Sequence, residues 1–234
     1  MDMILQTANL CKNFRKQCAV SNVSLCVEKN TVFGLLGANG AGKSTVLKMI
    51  AGILKPSSGT IDFDGQPWTR EVLGDIGAFI ETPPVYGNLT AYENLKVKAI
   101  LLGVKEERIR EVLDIVGLAD TGKKRAGQFS LGMRQRLGIA LALLNEPKLL
   151  ILDEPANGLD PAGILELRGL LRGFPARGIT VLLSSHILSE VQQTADHIGI
   201  LSEGVLKYSG KVNPGEDLET LFMETAKKSK GEGR

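Results

Sequence analysis

The chain has 234 residues, 43% hydrophobic and 23% charged, so it is long enough to bury a large core in one domain. Its 28 Lys and Arg residues nearly balance its 26 Asp and Glu residues, which excludes a strongly basic nucleic-acid-binding protein. No apolar run approaches the ~18–20 residues that cross a bilayer, so we expect a cytoplasmic protein without a nucleic-acid partner.

Two kinds of strand are predicted along the chain. Alternating apolar and polar residues at Ile4–Phe14, Ala19–Val27 and Gly59–Gly65 predict a half-exposed antiparallel sheet. Continuous aliphatic runs instead predict strands that are buried on both faces of a parallel sheet. These runs are Val32–Leu36, Leu149–Leu152, Thr180–Ser184 and Ile198–Leu201, with Ile76–Ile80 as a candidate fifth.

Helical periodicity lies between the aliphatic runs. One helical face carries Val46, Leu47, Ile50 and Leu54, and another carries Leu137, Leu141 and Leu144. Asp160 and Pro161 predict an N-cap and a first-turn proline for a helix with Ile164, Leu167 and Leu171 on one face. This alternation of strands and helices predicts an α/β fold with a mainly parallel sheet flanked by helices.

The stretch Thr82–Glu146 contains no convincing strand, and we interpret it as a helical insertion with helices at Tyr92–Leu102 and Glu106–Val116. We expect a single domain over residues 1–234 that ends in a flexible tail at about 227–234. The three cysteines, Cys11, Cys18 and Cys26, lack metal-ligand spacing, which favours buried, reduced thiols.

A glycine-rich segment between a strand and an amphipathic helix has the setting of a phosphate-binding loop. Its residues are Gly37, Ala38, Asn39, Gly40, Ala41, Gly42, Lys43, Ser44 and Thr45. The backbone N–H groups of such a loop surround phosphate oxygens at a helix N-terminus. Lys43 is expected to reach the β- and γ-phosphates, Ser44 to ligate Mg²⁺, and Thr45 to add a phosphate contact.

Two consecutive carboxylates, Asp153 and Glu154, end the aliphatic strand at Leu149–Leu152. Charges beside apolar walls are costly unless positive charge lies near them. Asp153 can hold Mg²⁺ through water, and Glu154 can orient or deprotonate an attacking water. An N-cap for the following turn would explain one acid but not two.

The segment Phe129–Gln135 resembles the signature motif of the ATP-binding cassette (ABC) family. Ser130 and Gly132 occupy its invariant positions, Gln135 precedes Arg136 as in the family, and the departures at Phe129 and Met133 are of a tolerated kind. The resemblance implies a P-loop NTPase of ABC type, with an N-terminal antiparallel β subdomain and a helical insertion. It also implies that Ser130 contacts the γ-phosphate of a nucleotide held by another subunit, and that Gly132 and Gln135 contact the same nucleotide.

Further matches follow in the family's order. Asn157–Asp160 resembles the loop that contacts the opposite subunit, with Asp160 at its end, and His186 resembles the histidine that senses the γ-phosphate. Phe14 stands where the family stacks an aromatic ring on adenine. The resemblance implies ATP and Mg²⁺ as ligands, an ATP-dependent head-to-tail homodimer, and separate transmembrane permease subunits that hold the protein at the inner face of the membrane.

Glu81 departs from the family pattern, which usually has a glutamine at this position. A carboxylate can still ligate Mg²⁺ and take part in catalysis, but it adds negative charge beside the γ-phosphate. This exchange resembles the ATPase subunits of bacitracin-type and lantibiotic self-immunity exporters. A neutral exchange, an importer ATPase and a soluble ABC ATPase without a transport role remain as alternatives. Tyr86, Leu89 and Tyr92 are candidate exposed apolar residues for docking a permease.

Overall fold

A computed structural model describes residues 2–15, 17–213 and 218–223, and the predicted tail at about 227–234 lies outside them. The strands of the described residues are, in chain order, β1 (Met3–Phe14), β2 (Gln17–Val23), β3 (Cys26–Glu28), β4 (Val32–Leu36), β5 (Ser58–Phe63), β6 (Gln66–Pro67), β7 (Ile76–Phe79), β8 (Leu149–Asp153), β9 (Thr180–Ser185), β10 (His197–Ser202) and β11 (Val205–Lys211). The α-helices are α1 (Lys43–Ile50), α2 (Ala91–Leu102), α3 (Glu106–Ile115), α4 (Leu131–Leu143), α5 (Pro161–Gly173) and α6 (Leu188–Thr194), and residues 218–223 are also helical.

The central sheet has six strands in the order β11-β10-β4-β9-β8-β7. All neighbours are parallel except β10 and β11, which form an antiparallel pair at one edge. The five aliphatic runs predicted from the sequence are therefore confirmed as adjacent strands of one parallel sheet. The edge strand β11 was not predicted, because its residues are only half-buried and carry no continuous aliphatic run.

The core lies on both faces of the central sheet, which explains the continuous aliphatic runs. In β8, Leu149 and Ile151 pack with α1 and the antiparallel sheet, whereas Leu150 and Leu152 pack with the helices on the other face. Helix α1 ends at Ile50 rather than continuing to Leu54 as predicted. Gly52 has a φ of +71°, a left-handed conformation that ends an α-helix. Leu54 follows the helix and still packs against the core.

The N-terminal sheet is antiparallel, with the order β2-β1-β5-β6 and with β3 also paired to β1. The predicted strand Ala19–Val27 is divided into β2 and β3. The side chain of Thr7 explains the break, because its hydroxyl accepts from Leu25 N at 2.9 Å and donates to Val23 O at 3.0 Å. The turn after β5 is formed by Asp64 and Gly65, both with positive φ, which suits a tight hairpin.

The helical insertion is confirmed, with α2, α3 and α4 close to their predicted positions. Helix α2 begins with a capping box in which Thr90 Oγ1 accepts from Glu93 N and Glu93 accepts from Thr90 N. The hydrogen bonds that the Thr90 backbone N–H and the Thr90 hydroxyl donate to the Glu93 carboxylate hold its pKa below the usual value. Helix α4 is buried on nearly all sides from Leu137 onwards, not on one face alone, because it lies between α2 and α3 on one side and the central sheet on the other.

The prediction of buried cysteines is wrong. Cys18 and Cys26 are exposed and Cys11 is half-buried, since all three lie on strands of the antiparallel sheet whose outer side faces solvent. All three are free thiols. None of the helices in the described part of the chain is both long and apolar enough to cross a membrane.

Candidate functional site

The glycine-rich loop joins the end of β4 to the start of α1. Gly42 has a φ of +103°, and a Cβ atom there would lie 2.7 Å from Ala19 O, so a side chain would be both strained and blocked. A Cβ atom on Gly37 would lie 2.5 Å from Leu201 O. The glycines therefore allow the loop to pass close to neighbouring backbone and to direct its N–H groups into the space above α1.

Lys43 is 5% exposed although it carries a charge. Its ammonium donates to Gly37 O at 2.8 Å and to Ala38 O at 3.3 Å, and it lies 3.0 Å from Glu154 Oε1. These partners compensate for the loss of hydration. A phosphate group bound by the loop would compete with Glu154 for the same ammonium.

The order of the parallel strands brings the other predicted residues to this loop. Strand β9 lies between β4 and β8, so the chain segments that follow these three strands meet at one edge of the sheet. The register pairs Asp153 with Ser184 and Leu36 with Ser185. Ligands of open α/β sheets bind at this carboxyl edge.

Ser184 connects the two consecutive acids and was missed by the sequence analysis. Its buried hydroxyl donates to Asp153 Oδ1 at 2.5 Å and accepts from Glu154 N at 2.9 Å. A polar residue near the end of an otherwise aliphatic strand was the only available signal. Ser184 fixes Asp153 and the backbone of Glu154 relative to one another.

Glu154 lies between two partners that could orient it. Its Oε1 is 3.0 Å from Lys43 Nζ, and its Oε2 is 2.7 Å from His186 Nδ1. Its φ is +50°, a left-handed conformation that few residues other than glycine adopt. Lys43 and His186 therefore contact the two different oxygen atoms of the Glu154 carboxylate.

A groove of about 580 Å³ runs along the loop. Besides the loop residues Asn39–Thr45, it is lined by Phe14 from the end of β1, Cys18 from β2, Glu154, and Gly204 from the β10–β11 turn. Phe14 is exposed, with the Lys12 ammonium 5.2 Å from its ring centroid. An aromatic ring at one end and a cationic, N–H-rich loop at the other suit a purine nucleotide with a phosphate chain.

The donor set fits a magnesium ion. The Ser44 hydroxyl lies in the first turn of α1, and the Asp153 carboxylate is 4% exposed at the end of β8, so both offer the hard oxygen atoms that Mg²⁺ prefers. Glu81, the third predicted ligand, follows β7 at the same edge. Its carboxylate forms an ion pair with Lys48 of α1, a contact that the sequence did not reveal.

The predicted residues of the signature motif lie apart from this groove. Ser130 is exposed and caps α4, where its hydroxyl accepts from Met133 N at 3.2 Å. Gly132 lies beside the loop before α5, since a Cβ atom on Gly132 would be 3.8 Å from Leu159 Cδ2. Asp160 is exposed and caps α5, as predicted, by accepting from Gly163 N at 2.9 Å.

Gln135, also predicted to contact nucleotide, is only 6% exposed within α4. Its Oε1 is buried without a hydrogen-bond partner among the described residues. The structure therefore does not bring the Gln135 amide to the exposed end of α4 with Ser130.

The predicted docking residues differ in exposure. Tyr86 is exposed, whereas Leu89 and Tyr92 are half-buried, and Tyr92 packs against the core of the insertion. The expectation that all three are exposed is wrong for the last two. Ile100 and Leu101, at the end of α2, are more exposed and were not predicted.

The α/β sheet, the glycine-rich loop and the strand-end carboxylates define a P-loop nucleotide-binding protein. The family model described as ABC transporter matches residues 20–157, which is more than half of the chain. The chain belongs to the ATP-binding cassette transporter family, and it is an ATP-hydrolysing member of that family.

Two curated relatives cover most of the chain. The lantibiotic transport ATP-binding protein SrtF of Streptococcus pyogenes is 49% identical over 219 residues, which are 94% of this chain and 96% of SrtF. The bacitracin transport ATP-binding protein BcrA of Bacillus licheniformis is 49% identical over 211 residues, which are 88% of this chain and 69% of BcrA.

Solved structures of ABC cassettes share the fold. The ADP conformation of the cassette MJ1267 has a TM-score of 0.87 at 26% identity and covers 99% of this chain and 100% of its own. A dimeric, post-hydrolysis cassette, MJ0796 bound to ADP and phosphate, has a TM-score of 0.80 at 25% identity over 90% of this chain and 99% of its own. Cassettes of this family therefore bind adenine nucleotides and form dimers.

Proposed function

We propose that this chain is the ATP-hydrolysing subunit of an ABC exporter that protects a cell against a lantibiotic or a bacitracin-like peptide. The observation that carries the proposal is the 49% identity to the lantibiotic transport protein over 94% of the chain. The carboxylate of Glu81 after β7 supports the same group. The protein acts at the inner face of the membrane, where separate permease subunits hold it.

The proposed mechanism assigns a task to each residue of the groove. Phe14 stacks on adenine, and the backbone N–H groups of the loop, with Lys43 and Thr45, bind the phosphates. Glu154, oriented by His186 once the phosphates take the Lys43 ammonium, accepts a proton from the attacking water. Mg²⁺, held by Ser44 and Asp153 with Glu81 nearby, would neutralise charge on the phosphates.

The proposed dimer completes each site with residues of the second copy. Ser130 accepts one hydrogen bond from its own helix, and its hydroxyl hydrogen remains able to donate to a γ-phosphate. The free N–H groups at the start of α4 add to this capacity. In a head-to-tail dimer, Ser130 and Gly132 of one copy face the loop of the other, and Asp160 lies at the interface.

Trapping of the dimer tests the enzymatic part of the proposal. We expect Glu154→Gln to reduce ATP hydrolysis by at least 100-fold and to form a stable dimer in ATP, seen by size-exclusion chromatography. Lys43→Ala is the matched control, since it weakens phosphate binding and should stay monomeric. Hydrolysis at the parent rate, or a monomer in ATP, would contradict the mechanism.

Drug susceptibility tests the physiological part. We expect deletion of the gene in its own host to lower the inhibitory concentration of at least one lantibiotic or of bacitracin, and the Glu154→Gln allele to fail to restore it. Unchanged susceptibility to the whole panel would reject the immunity role. An importer would instead show reduced substrate uptake, and a soluble ATPase would not co-purify with a membrane protein.

A further inference from the structure

The ion pair between Lys48 and Glu81 joins α1 to the segment after β7. The Lys48 side chain is 25% exposed and the Glu81 side chain 64% exposed. Exposed ion pairs of this kind contribute little to folding stability. The position of the pair, on the helix whose first turn carries the groove residue Ser44, is therefore more informative than its contribution to stability.

Lys48 is four residues after Ser44 on α1, so the two side chains lie on the same face of the helix. One helical turn, about 5.4 Å, separates them along the axis. The pair of Lys48 with Glu81 consequently lies next to the hydroxyl proposed to hold the metal. The φ of Glu81, +67°, shows that the backbone directs this residue in an uncommon, left-handed conformation.

Negative charge accumulates at the carboxyl edge of the sheet near the groove. Three carboxylates, those of Glu81, Asp153 and Glu154, lie at this edge of the sheet, and Lys43 pairs with Glu154. A triphosphate would bring further negative charge. Lys48 is the ammonium that pairs with the Glu81 carboxylate in this structure.

We propose that Lys48 is a positioning residue that neutralises Glu81 and so allows a carboxylate to stand beside the phosphates of ATP. The inference rests on the proposed function, because it requires ATP in the groove. Lys48 holds the Glu81 carboxylate by a charge-assisted hydrogen bond and reduces its repulsion of the phosphates.

Binding of ATP in the presence of EDTA tests this inference without metal and without hydrolysis. The measurement is the competition of ATP with a fluorescent ATP analogue. We expect Lys48→Met to weaken ATP binding about five- to tenfold, because an unpaired carboxylate then faces the phosphates. Lys48→Arg should bind within twofold of the parent, and the double variant Lys48→Met with Glu81→Gln should recover parental affinity.

Glu81→Gln alone provides a second, independent variant at an exposed position, and we expect it to bind ATP at least as tightly as the parent. Lys96→Met is the matched control, since it removes an ammonium that pairs with Glu106 at 2.8 Å on the helical insertion. Its ATP affinity should be unchanged.

Two results would overturn the inference. Lys48→Met could bind ATP as the parent does, or the double variant could remain as weak as Lys48→Met, in which case Lys48 would act independently of Glu81. Absence of ATP binding by the parent protein would instead overturn the proposed function itself.

Discussion

Two glutamates at the carboxyl edge of the sheet, Glu81 and Glu154, adopt left-handed backbone conformations with φ of +67° and +50°. A residue other than glycine pays about 1–3 kcal/mol for such a conformation. Each carboxylate is held by named partners, Lys48 for Glu81 and Lys43 with His186 for Glu154. These two residues, which are proposed to act at the nucleotide, are thus among the nine non-glycine residues with positive φ in the described part of the chain.

Ser184 allows the first prediction at this scale. We expect Ser184→Ala to lower kcat at least tenfold and to raise the Mg²⁺ concentration needed for half-maximal hydrolysis, because Asp153 and the Glu154 backbone lose their common partner. ATP affinity in EDTA should change less than threefold, since the hydroxyl does not line the groove. Steady-state kinetics at varied Mg²⁺ gives both values.

Ser185→Ala is the matched control, because this neighbouring buried hydroxyl accepts from Ile187 N at 3.0 Å rather than contacting Asp153. Its kcat should stay within threefold of the parent. Equal effects of the two substitutions would show that Ser184 has no particular role in placing the acids.

Cys18 provides a chemical test of the groove. Its thiol is exposed and lines the groove beside the loop, whereas Cys26 is exposed elsewhere on the antiparallel sheet. We expect ATP to slow alkylation of Cys18 by N-ethylmaleimide at least fivefold and to leave Cys26 unaffected, as measured by peptide mass spectrometry. Protection should disappear in Lys43→Ala. Equal protection of both thiols would argue against nucleotide in this groove.

At the scale of elements, helices α2 and α3 of the insertion are hydrogen-bonded to the C-terminal end of α4. Lys98 of α2 donates to Leu141 O at 2.8 Å, and Arg108 of α3 donates to Leu143 O at 2.8 Å. Free carbonyls and the helix dipole make this end favourable for cations. Burial lowers the pKa of Lys98. The other end of the same helix begins at Ser130, so α2 and α3 help to fix the signature motif.

A charge network joins the N-terminal sheet to the central sheet. Asp64, after β5, accepts from Lys29 at 2.7 Å and from Lys148 at 3.1 Å, and Lys148 also pairs with Asp75. Hydrogen bonds from Lys29 and Lys148 lower the pKa of the Asp64 carboxyl below its usual value. The network therefore connects segments that are distant in the sequence and makes part of their association dependent on pH.

This network predicts an acid-sensitive contribution to stability. Because folding lowers the pKa of Asp64, its charged form stabilises the fold above about pH 4, and the contribution is lost as the pH falls through the folded pKa. We expect Asp64→Asn to lower Tm at pH 7 and the difference from the parent to shrink towards pH 3, in thermal unfolding measured across this range.

Asp114→Asn, on the exposed surface of α3, is the control, and its Tm difference should be small at every pH. A constant Tm difference for Asp64→Asn from pH 7 to pH 3 would show that loss of charge at Asp64 does not cause the effect.

At the scale of the whole molecule, one chain presents two separated parts of a site. The groove with Lys43 and Glu154 lies at the edge of the sheet, and Ser130 is exposed at the start of α4 in the insertion. Since Ser130 does not line the groove of its own chain, a complete site as proposed requires a second copy. This arrangement favours the head-to-tail dimer.

Mixing of inactive variants tests the arrangement. We expect Lys43→Ala and Ser130→Arg each to be inactive alone, and a 1:1 mixture to recover about a quarter of parental ATPase activity. Lys43→Ala alone is expected to stay monomeric, but in the mixture ATP bound to the intact loop of a Ser130→Arg copy can contact Ser130 of a Lys43→Ala copy. If half of the dimers are mixed, each mixed dimer has one of its two sites intact. Activity is measured as phosphate release.

Lys43→Ala mixed with Glu154→Gln is the control, because both residues belong to the same half of the site and no intact site can form. Recovery in this control, or none in the first mixture, would contradict a shared site.

Much of the fold could be predicted because its signals are local. The glycine-rich loop, its strand and its helix follow each other directly, and aliphatic runs reveal burial on both faces of a sheet whatever their order. Ser130 and Asp160 each cap a helix by accepting a hydrogen bond from the backbone N–H of the residue three positions later. The exposure of Cys18, Cys26 and Ile100 was not predictable, since it depends on what packs against each face.

The sequence by itself determined the phosphate loop, the paired acids, the helical insertion and the family, because each is encoded by neighbouring residues at fixed spacing. Only the tertiary structure decided that Ser184 connects Asp153 to Glu154. It also decided that Lys48 pairs with Glu81, and that Phe14 and Gly204 line the groove. These contacts join residues from separate elements. They depend on the order and register of strands, which local hydrophobic periodicity does not specify.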